Sequence, residues 1–457
     1  MPSDYPKIDK LIKKHKIEFI DLKVSDLNGR LHHLTLPYSE ATLKNLITNG
    51  VGFDGSSYGF QRVENSDMIM KPDLQTAMLD PFRKAPTVSF FTRVFNTDAK
   101  NTPFQFDLRN IAERAEQLLQ KYKIGHKSMW GPEFEFYILS DVSYQSEATD
   151  SYFRIESEER EGGNGYHIAN PLDVYDDFRD EATKLLIEAG VSIKYHHHEV
   201  GSLGQQEIET NFDTLLPTAD KILLSKYILH NLAKDHHLFL TFMPKPLYGQ
   251  AGSGMHFHHF LEKNKKNAFY KKGSYANLNE LAMCYIGGVL KHAPALCAFT
   301  NPTTNSYKRL VPGVEAPTAI NFGQGNRASC VRIPRYIKDS RLTRFEYRPP
   351  DATANPYLAL TAILMAGLDG VINKIDPVKI GYGPYEADEY DPRIKMKYLP
   401  FSLETALNAL KNDHLFLLRD NIMSADLIEH WISVKSREFN QISNWPSPIE
   451  YSLYFDF

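Results

Sequence analysis

Four short strand-like segments of this chain place two polar side chains two residues apart in otherwise apolar sequence. Side chains at positions i and i+2 of a strand lie on the same face, so each pair points in one direction. A face that simply meets water is the alternative for any single pair, but such a face would also carry lysine, serine and threonine. These residues are nearly all glutamate or histidine, which predicts that the four faces meet around one polar site. The pairs are Glu133 and Glu135, Glu207 and Glu209, His256 and His258, and Glu346 and Arg348.

Carboxylates held this close repel one another and must either bind protons or recruit cations. Oxygen-rich sites with an occasional imidazole suit Mg²⁺ or Mn²⁺, whereas zinc would prefer cysteine and more histidine. Such ions beside arginines are typical of phosphoryl transfer, in which catalysis is mainly positioning and charge neutralisation. Arginine is dense in one stretch of about forty residues, which suits anionic ligands better than a solvated face. The residues are Arg309, Arg327, Arg332, Arg335, Arg341, Arg344 and Arg348.

The sequence contains no Walker loop, so ATP would not be bound in the P-loop manner. The glycine-rich segments 249–254 and 323–325 could contact phosphate, although each alone is more typical of a tight turn. The spacing of these residues alone therefore predicts metal-dependent phosphoryl transfer and does not identify the substrates.

The elements that would position these residues are strands and helices in alternation. Residues 7–100 are predicted to form a small mixed unit, with a strand over 17–24, and the polar segment 96–103 is a predicted domain junction. Periodicity and capping residues predict helices after Asp107, over 177–189, 219–235 and 278–292, and from Asn355 onward. The polar stretches 140–165 and 377–396 are predicted surface loops.

Composition and charge argue against several classes of function. The chain has 457 residues and a net charge of −4, without a basic cluster that would favour nucleic acid. Its 3 cysteines have no CxxC spacing, which suits a reducing compartment. The polar N-terminus lacks the apolar core of a signal peptide, and the apolar stretch 357–368 is too short to span a bilayer. We therefore expect a cytoplasmic protein with neither membrane nor nucleic acid as a partner.

The same residues lie in motifs that follow the order found in the type I glutamine synthetases. The resemblance covers nearly the whole chain, and so many motifs in one order make coincidence negligible. The motifs are FDGSS (53–57), GPEFEF (131–136), HHE (197–199), GQQE (204–207), FMPKP (242–246), GSGMH (252–256), residues 305–312, NR (326–327), RFEYR (344–348) and NPY (355–357).

The resemblance implies an α+β protein of two domains. Residues 1–103 would form a small β-grasp-like domain, and residues 104–457 a catalytic domain with a curved antiparallel sheet flanked by helices. It implies a homo-oligomer, a dodecamer of two hexameric rings with active sites shared between subunits, in which segment 451–457 docks into the facing ring. The implied reaction joins glutamate and ammonia with ATP, through γ-glutamyl phosphate, to give glutamine, ADP and phosphate.

Residue by residue, the resemblance implies two Mg²⁺ or Mn²⁺ ions in each active site. The ligands of the ion beside glutamate would be Glu135, Glu199 and Glu207, and those of the ion bridging the ATP phosphates would be Glu133, His256 and Glu346. Residues that bind glutamate or the transferred phosphoryl group would be Gly252, Arg309 and Arg348. Residues that contact ATP would be Phe212, His258, Arg327, Arg341 and Arg344, with Arg327 also acting on the transition state.

The ammonium site is implied by a separate set of residues. Asp54 resembles the base that deprotonates ammonium, which is reasonable because only neutral ammonia is a nucleophile. Ser57, Tyr166 and Glu199 would complete this pocket. Glu315 resembles a residue of the mobile flap that closes over glutamate and excludes water from the acyl phosphate. If Asp54 comes from the neighbouring subunit, as in the family, a monomer should be inactive.

Three positions depart from the family pattern. Ala251 replaces an asparagine that helps to hold the amino-acid end of glutamate, Phe260 replaces a serine near adenine, and Arg341 stands where lysine is common. A lost polar contact at 251 would cost about 1–3 kcal/mol if nothing replaces it. No tyrosine-bearing adenylylation loop is recognisable, so control by adenylylation is not expected. Gln61 and Arg62 resemble the arrangement in members inhibited by their product, and a surface arginine is the alternative.

Two other functions stay open at this stage. A γ-glutamyl-amine ligase would keep the chemistry but use a small amine or polyamine; the complete ammonium pocket argues against it, and Ala251 argues for it or for a different acid. A non-catalytic family member with a binding or structural role would have lost metal ligands, yet all six candidate positions hold glutamate or histidine.

Overall fold

The computed structural model describes residues 5–60, 66–159, 162, 165–311, 316–386 and 396–456. Its helices are α1 (Tyr5–His15), α2 (Glu40–Thr48), α3 (Leu108–Lys121), α4 (Asp176–Glu188), α5 (Leu215–Asp235), α6 (Glu280–Thr300), α7 (Ser306–Arg309), α8 (Pro356–Ile372), α9 (Leu403–Asn412), α10 (Leu415–Leu418), α11 (Ala425–Ser443) and α12 (Pro448–Tyr454). Its strands are β1 (Phe19–Ser25), β2 (Leu31–Pro37), β3 (Val51–Asp54), β4 (Asp67–Pro72), β5 (Met78–Leu79), β6 (Thr87–Asn96), β7 (Lys127–Leu139), β8 (Asp141–Ser146), β9 (Ser151–Glu156), β10 (Ile193–His198), β11 (Gln205–Thr210), β12 (Asp213–Thr214), β13 (Phe239–Thr241), β14 (Met255–Lys263), β15 (Lys266–Asn267), β16 (Ala319–Gln324), β17 (Ser329–Ile333) and β18 (Phe345–Tyr347).

The N-terminal sheet has the strand order β2-β1-β6-β4-β3, with β5 added beside β6. Strands β1 and β6 are parallel, and their neighbours pair with them in antiparallel fashion. Ile12 of α1 and Leu46 of α2 join Ile20 and Phe90 of the central strands in one buried cluster. Burying the apolar face of each helix on the sheet stabilises this small domain. The predicted β-grasp-like fold is confirmed.

The catalytic sheet has the strand order β10-β11-β7-β14-β18-β17-β16. Its pairs are antiparallel except for β16 and β17. The 13-residue β7 lies next to both β11 and β14, and its residues from Trp130 to Leu139 are almost entirely buried. One long central strand therefore aligns the residues of its two neighbours, which is how the sheet positions the site.

A layer of helices packs against the catalytic sheet. Helix α8 is buried over nearly its whole length and packs against α6, which in turn packs against α9. Helix α6 is long and apolar enough to cross a membrane by length and composition, but 78% of its most apolar window is buried inside the protein. Its burial between α8 and α9 explains this apolar composition, because a helix covered on all sides needs no polar face.

Buried polar contacts join the two domains. Arg109 of α3 donates from Nε and Nη2 to the Asp220 carboxylate at 2.9 and 2.8 Å, and from Nη2 to Asp73 of the N-terminal domain at 3.0 Å. Asn355 caps α8 and donates from Nδ2 to the Leu27 carbonyl at 3.2 Å. These contacts fix how the small domain sits on the large one. The boundary between residues 103 and 104 stays a prediction.

Most of the predicted elements are confirmed, with shifted ends. The strand over 17–24 is β1, and the helices predicted over 177–189, 219–235 and 278–292 are α4, α5 and α6. The prediction of a surface loop over 140–165 was wrong for its first part, because β8 and β9 form a hairpin there. Of the second predicted loop, residues 387–395 lie outside the described residues.

Candidate active site

The strand register places the predicted metal-ligand residues side by side on the catalytic sheet. Glu133 of β7 lies opposite His256 of β14, and Glu135 lies opposite Glu207 of β11. Glu346 lies on β18, the next strand beyond β14. A cavity of about 750 Å³ covers this face and is lined by carboxylates, histidines and arginines. Each period-two pair therefore contributes at least one residue to the lining of one polar cavity, while Glu209, His258 and Glu346 are not among its described lining residues.

Glu133, His256 and Glu346 form the first cluster, with ligand atoms within 4.8 Å of one another. His256 Nδ1 is 3.1 Å from Glu133 Oε2 and 3.8 Å from Glu346 Oε1. Burial opposes ionisation of Glu133, but the charge of His258 and hydrogen bonds from both histidines hold its pKa well below the usual value. Two carboxylates and one imidazole, all buried, are a donor set that fits Mg²⁺ or Mn²⁺.

His197, Glu199 and Glu207 form the second cluster, again with ligand atoms within 4.8 Å. His197 Nε2 is 3.3 Å from Glu207 Oε1, and its Nδ1 is 3.6 Å from Glu199 Oε2. Burial and repulsion from Glu135 and Glu207 raise the pKa of Glu199 to about 9, and burial with repulsion from Glu133 raises that of Glu207. Such concentrated negative charge fits a divalent cation, which would neutralise it.

Glu135 lies between the two clusters. One of its oxygens accepts a hydrogen bond from the Gly254 backbone N–H at 2.8 Å, and the other is 3.7 Å from His256 Nε2. Sequence reasoning groups Glu135 with Glu199 and Glu207, whereas the second cluster itself contains His197. His197 was missed as a candidate, although it stands two residues before Glu199, the same spacing that identifies the other pairs.

His258 lies beneath the cavity and is completely buried. Its Nε2 is 2.7 Å from Glu133 Oε1 and 3.8 Å from Glu209 Oε1. Glu209 also accepts a hydrogen bond from Lys194 Nζ at 2.6 Å. The cavity lining includes Glu133 and His256 but not His258. In this structure His258 therefore supports Glu133 from below, and its predicted contact with phosphate stays a prediction.

Arginines also line the cavity, in contact with the first cluster. Arg309 and Arg348 are buried and line it together with the exposed Arg327. Arg309 donates from Nη1 to the Pro349 carbonyl at 2.8 Å, and its Nη2 is 3.1 Å from His256 Nε2. Arg348 donates to the Arg327 carbonyl from Nε at 2.9 Å. Cations pinned in this way beside carboxylate clusters are suited to anionic substrates.

Two arginine side chains bind the carboxylate of Glu346, the buried glutamate of the first cluster. Arg332 and Arg348 each donate from Nη1 to its carboxylate. Burial opposes ionisation, but Arg348 overcomes this effect and lowers the pKa of Glu346 to about 2. The first cluster therefore contains one carboxylate whose charge is already balanced by arginine.

Three of the residues predicted to contact ATP, Phe212, Arg341 and Arg344, are not among the described residues of the cavity lining. The Arg344 guanidinium carbon is 5.4 Å from the centre of the Phe212 ring, and Phe260 packs edge-on against the same ring at 5.1 Å between centres. Arg341 is exposed and binds Asp339, with Nη2 2.7 Å from the carboxylate. Phe212 and Arg344 are thus brought together, while Arg341 lies on the surface.

The residues predicted for the ammonium site are divided between the domains. Tyr166 and Glu199 line the cavity, together with Gly252 of the substrate set. Asp54 and Ser57 belong to the N-terminal domain and are not among the described residues of the lining; Asp54 accepts hydrogen bonds from Ser56 Oγ and Ser57 Oγ at 2.7 Å each. These hydrogen bonds, that from Ser56 first, hold the pKa of Asp54 far below its usual value.

The flap residue Glu315 and the pair Gln61 and Arg62 lie outside the described residues. All three family departures lie in the described residues, with Arg341 on the surface as above. Ala251 lines the cavity, where its carbonyl accepts a hydrogen bond from Tyr137 Oη at 2.7 Å. Phe260 is buried against Phe212.

Two family models match the chain. Residues 16–97 match the β-grasp domain of glutamine synthetase, and residues 105–454 match its catalytic domain. The chain belongs to the glutamine synthetase family.

Similar proteins extend this result over the full length. The chain is 42% identical to a glutamine synthetase of Frankia alni over 97% of its own length and 98% of that protein. It is 41% identical to one of Mycolicibacterium smegmatis, over 98% of each chain. Among solved structures, a Plasmodium falciparum glutamine synthetase matches with a TM-score of 0.89 at 25% identity, over 99% of each chain. Family membership thus covers both domains and every cluster described above.

Proposed function

We propose that this protein is an ATP-dependent ligase that forms glutamine from glutamate and ammonia. The observation that carries the proposal is the meeting of two carboxylate–histidine clusters with Arg309 and Arg348 in one cavity of a glutamine synthetase fold. The reaction needs charge neutralisation around phosphates and carboxylates, and that cavity supplies both signs of charge.

In the proposed reaction, a γ-carboxylate oxygen of glutamate attacks the terminal phosphorus of ATP and ADP leaves. Ammonia then attacks the carbonyl carbon of γ-glutamyl phosphate, phosphate leaves with the bonding electrons, and the proton that the nitrogen loses ends on the released phosphate. Two divalent ions, Mg²⁺ or Mn²⁺, would neutralise the phosphate charge when bound. We assign Glu133, His256 and Glu346 to one ion, and Glu135, Glu199 and Glu207 to the other, with His197 beside the second.

The remaining roles follow the same proposal. Arg309 and Arg348 hold the anionic groups of glutamate and the phosphoryl group beside Gly252, and Arg327 stabilises charge in the transition state. Arg344, Arg341 and His258 serve the ATP phosphates. Phe212 offers a flat ring to the base, supported by its contacts with Arg344 and Phe260.

Ammonium use is assigned to Asp54, Ser57, Tyr166 and Glu199. An aspartate held ionised by two serines can attract NH₄⁺ and accept its proton. Because Asp54 is not among the described cavity residues, we propose that it acts in the site of a neighbouring subunit of a dodecamer. Glu315 is assigned to the closing flap, and the cytoplasm is the proposed compartment.

The test is ATP- and glutamate-dependent phosphate release with Mg²⁺ or Mn²⁺. Ammonium, methylamine, ethanolamine and a polyamine would be compared at equal concentration, with reactions lacking glutamate as controls. The highest kcat/KM with ammonium is the expected result. A larger amine giving the highest value would make the protein a γ-glutamyl-amine ligase, and no turnover with any acceptor would contradict the proposal.

A further inference from the structure

The rim of the active-site cavity contains a glutamine side chain with an unused donor. Gln250 lines the cavity, and its Oε1 accepts a hydrogen bond from Ser202 Oγ at 2.9 Å. Its backbone carbonyl accepts another from Lys245 Nζ. In the part of the chain that the structure describes, the Gln250 Nε2 group makes no hydrogen bond. The side-chain amide is therefore held at its oxygen by Ser202, the backbone is held by Lys245, and the amide keeps two N–H groups available to a ligand.

The acceptors of the same rim are already occupied. The Ala251 carbonyl accepts from Tyr137 Oη at 2.7 Å, and the Gly252 carbonyl accepts from Gln205 Nε2 at 3.1 Å. Gln205 also lines the cavity, but its Oε1 accepts from the Gly201 backbone N–H at 2.7 Å, so both ends of this amide are used. These three acceptors each already accept a hydrogen bond, whereas the Gln250 amide keeps unused donors, which favours an anionic ligand group.

A buried cation lies beside this rim. A Cβ atom built on Gly252 would lie 2.7 Å from Arg309 Cγ, so residue 252 packs directly against the Arg309 side chain. Ala251, whose side chain is a methyl group, offers a substrate no polar side-chain contact. Among the described residues next to Gly252, the Arg309 guanidinium and the Gln250 amide are groups that can meet a carboxylate.

We infer that Gln250 binds the α-carboxylate of glutamate through Nε2 and so determines which acid the enzyme accepts. This inference rests on the proposed function, in which the γ-carboxylate is directed to the metal clusters. It assigns to Gln250 the polar contact that Ala251 does not make. Fixing the amide through Ser202 lowers the entropy lost when the substrate binds.

The test compares steady-state constants of the wild-type enzyme with those of Gln250→Ala and Gln250→Glu. We expect Gln250→Ala to raise the KM for glutamate about tenfold, because a hydrogen bond to a charged group is lost. Gln250→Glu should raise it further by placing a carboxylate against the substrate carboxylate. The KM for ATP should change by less than about twofold in both variants. Tyr248→Ala serves as the control, since Tyr248 lies on the same loop and is fully exposed.

Substrate analogues separate binding from a structural role. Inhibition constants would be measured for glutarate, which lacks the amino group, and for the α-amide of glutamate, which lacks the α-carboxylate charge. Gln250→Ala should raise the inhibition constant of glutarate as much as it raises the KM for glutamate. It should raise the inhibition constant of the α-amide by less than about threefold. An equal penalty for both analogues, or an unchanged KM for glutamate, would overturn the inference. Failure of the wild-type enzyme to form glutamine would instead overturn the proposed function.

Discussion

Glu133 lies directly opposite His256 across the β7–β14 pair, and its Oε2 is 3.1 Å from His256 Nδ1. The other oxygen of the same carboxylate is 2.7 Å from His258 Nε2. A single glutamate therefore orients two of the three histidines of β14, His256 and His258. This relationship connects the first cluster to the completely buried side chain of His258, and it makes Glu133 the most informative position to change.

Glu133→Gln should weaken Mn²⁺ binding about tenfold or more while leaving the fold intact. The amide keeps the shape of the side chain but loses the negative charge and one acceptor for the histidines. Isothermal titration of the purified protein with Mn²⁺ measures the change. Glu262→Gln is the matched control, because Glu262 lies on β14 and is not among the described residues of the cavity lining. Equal Mn²⁺ affinity in the two variants would remove Glu133 from the metal site.

Shared active sites predict complementation between two inactive variants. Asp54→Ala should lose ammonium use while retaining ATP binding, and Glu133→Gln should lose activity through its metal site. If Asp54 acts in a neighbouring subunit, oligomers reassembled from equal amounts of the two should contain about one quarter of intact sites. Glutamine formation after mixing and reassembly measures this recovery. Each variant alone is the control, and a mixture no more active than either variant would place Asp54 in its own subunit's site or outside the mechanism.

Much of this site follows from the sequence because strand periodicity is local. Glu133 and Glu135 had to share a face, and the same holds for His256 and His258. Which strands are neighbours depends on long-range pairing, so the contact between Glu133 and His256 could not be deduced from spacing. The hairpin of β8 and β9 was missed because polar residues interrupt its alternation and hide the pattern of a strand.

The buried ion pair of Arg109 with Asp220, inside the catalytic domain, gives a stability prediction. Asp220→Ala leaves a buried guanidinium without its two-point partner and should lower the free energy of unfolding by about 3–5 kcal/mol. Urea denaturation followed by far-UV circular dichroism measures the loss. Asp73→Ala removes only one contact of the same arginine, at 3.0 Å, and should cost less. Equal losses in the two variants would mean that Asp220 does not dominate this contact.

The raised pKa of Asp107, a buried residue outside the active site, predicts that the stability of the protein depends on pH. Burial raises its pKa to about 6 from the ordinary 3.8, so the folded protein keeps a proton that the unfolded chain releases. The stability associated with this group is present below about pH 4 and falls as the pH rises towards 6, by at most about 3 kcal/mol. Asp107→Asn, which can still cap α3, should remove this dependence. Melting temperatures of both proteins between pH 4 and 7 test it; parallel curves would show that Asp107 does not titrate abnormally.

Substitutions of Phe212 and Phe260 test the proposal that the Phe212 ring stacks on the base of ATP. Phe212→Ala should raise the KM for ATP about tenfold, because stacking on an aromatic ring stabilises a bound base by about 1–3 kcal/mol. Phe260→Ala should raise it less, about threefold, because Phe260 only supports the Phe212 ring edge-on at 5.1 Å. The KM for glutamate, measured in the same assays, is the internal control and should stay within about twofold. If Phe212→Ala leaves the KM for ATP unchanged, the base binds elsewhere. If only Phe212→Ala raises it, Phe260 fills space without orienting the ring, and its departure from the family pattern has no effect on nucleotide binding.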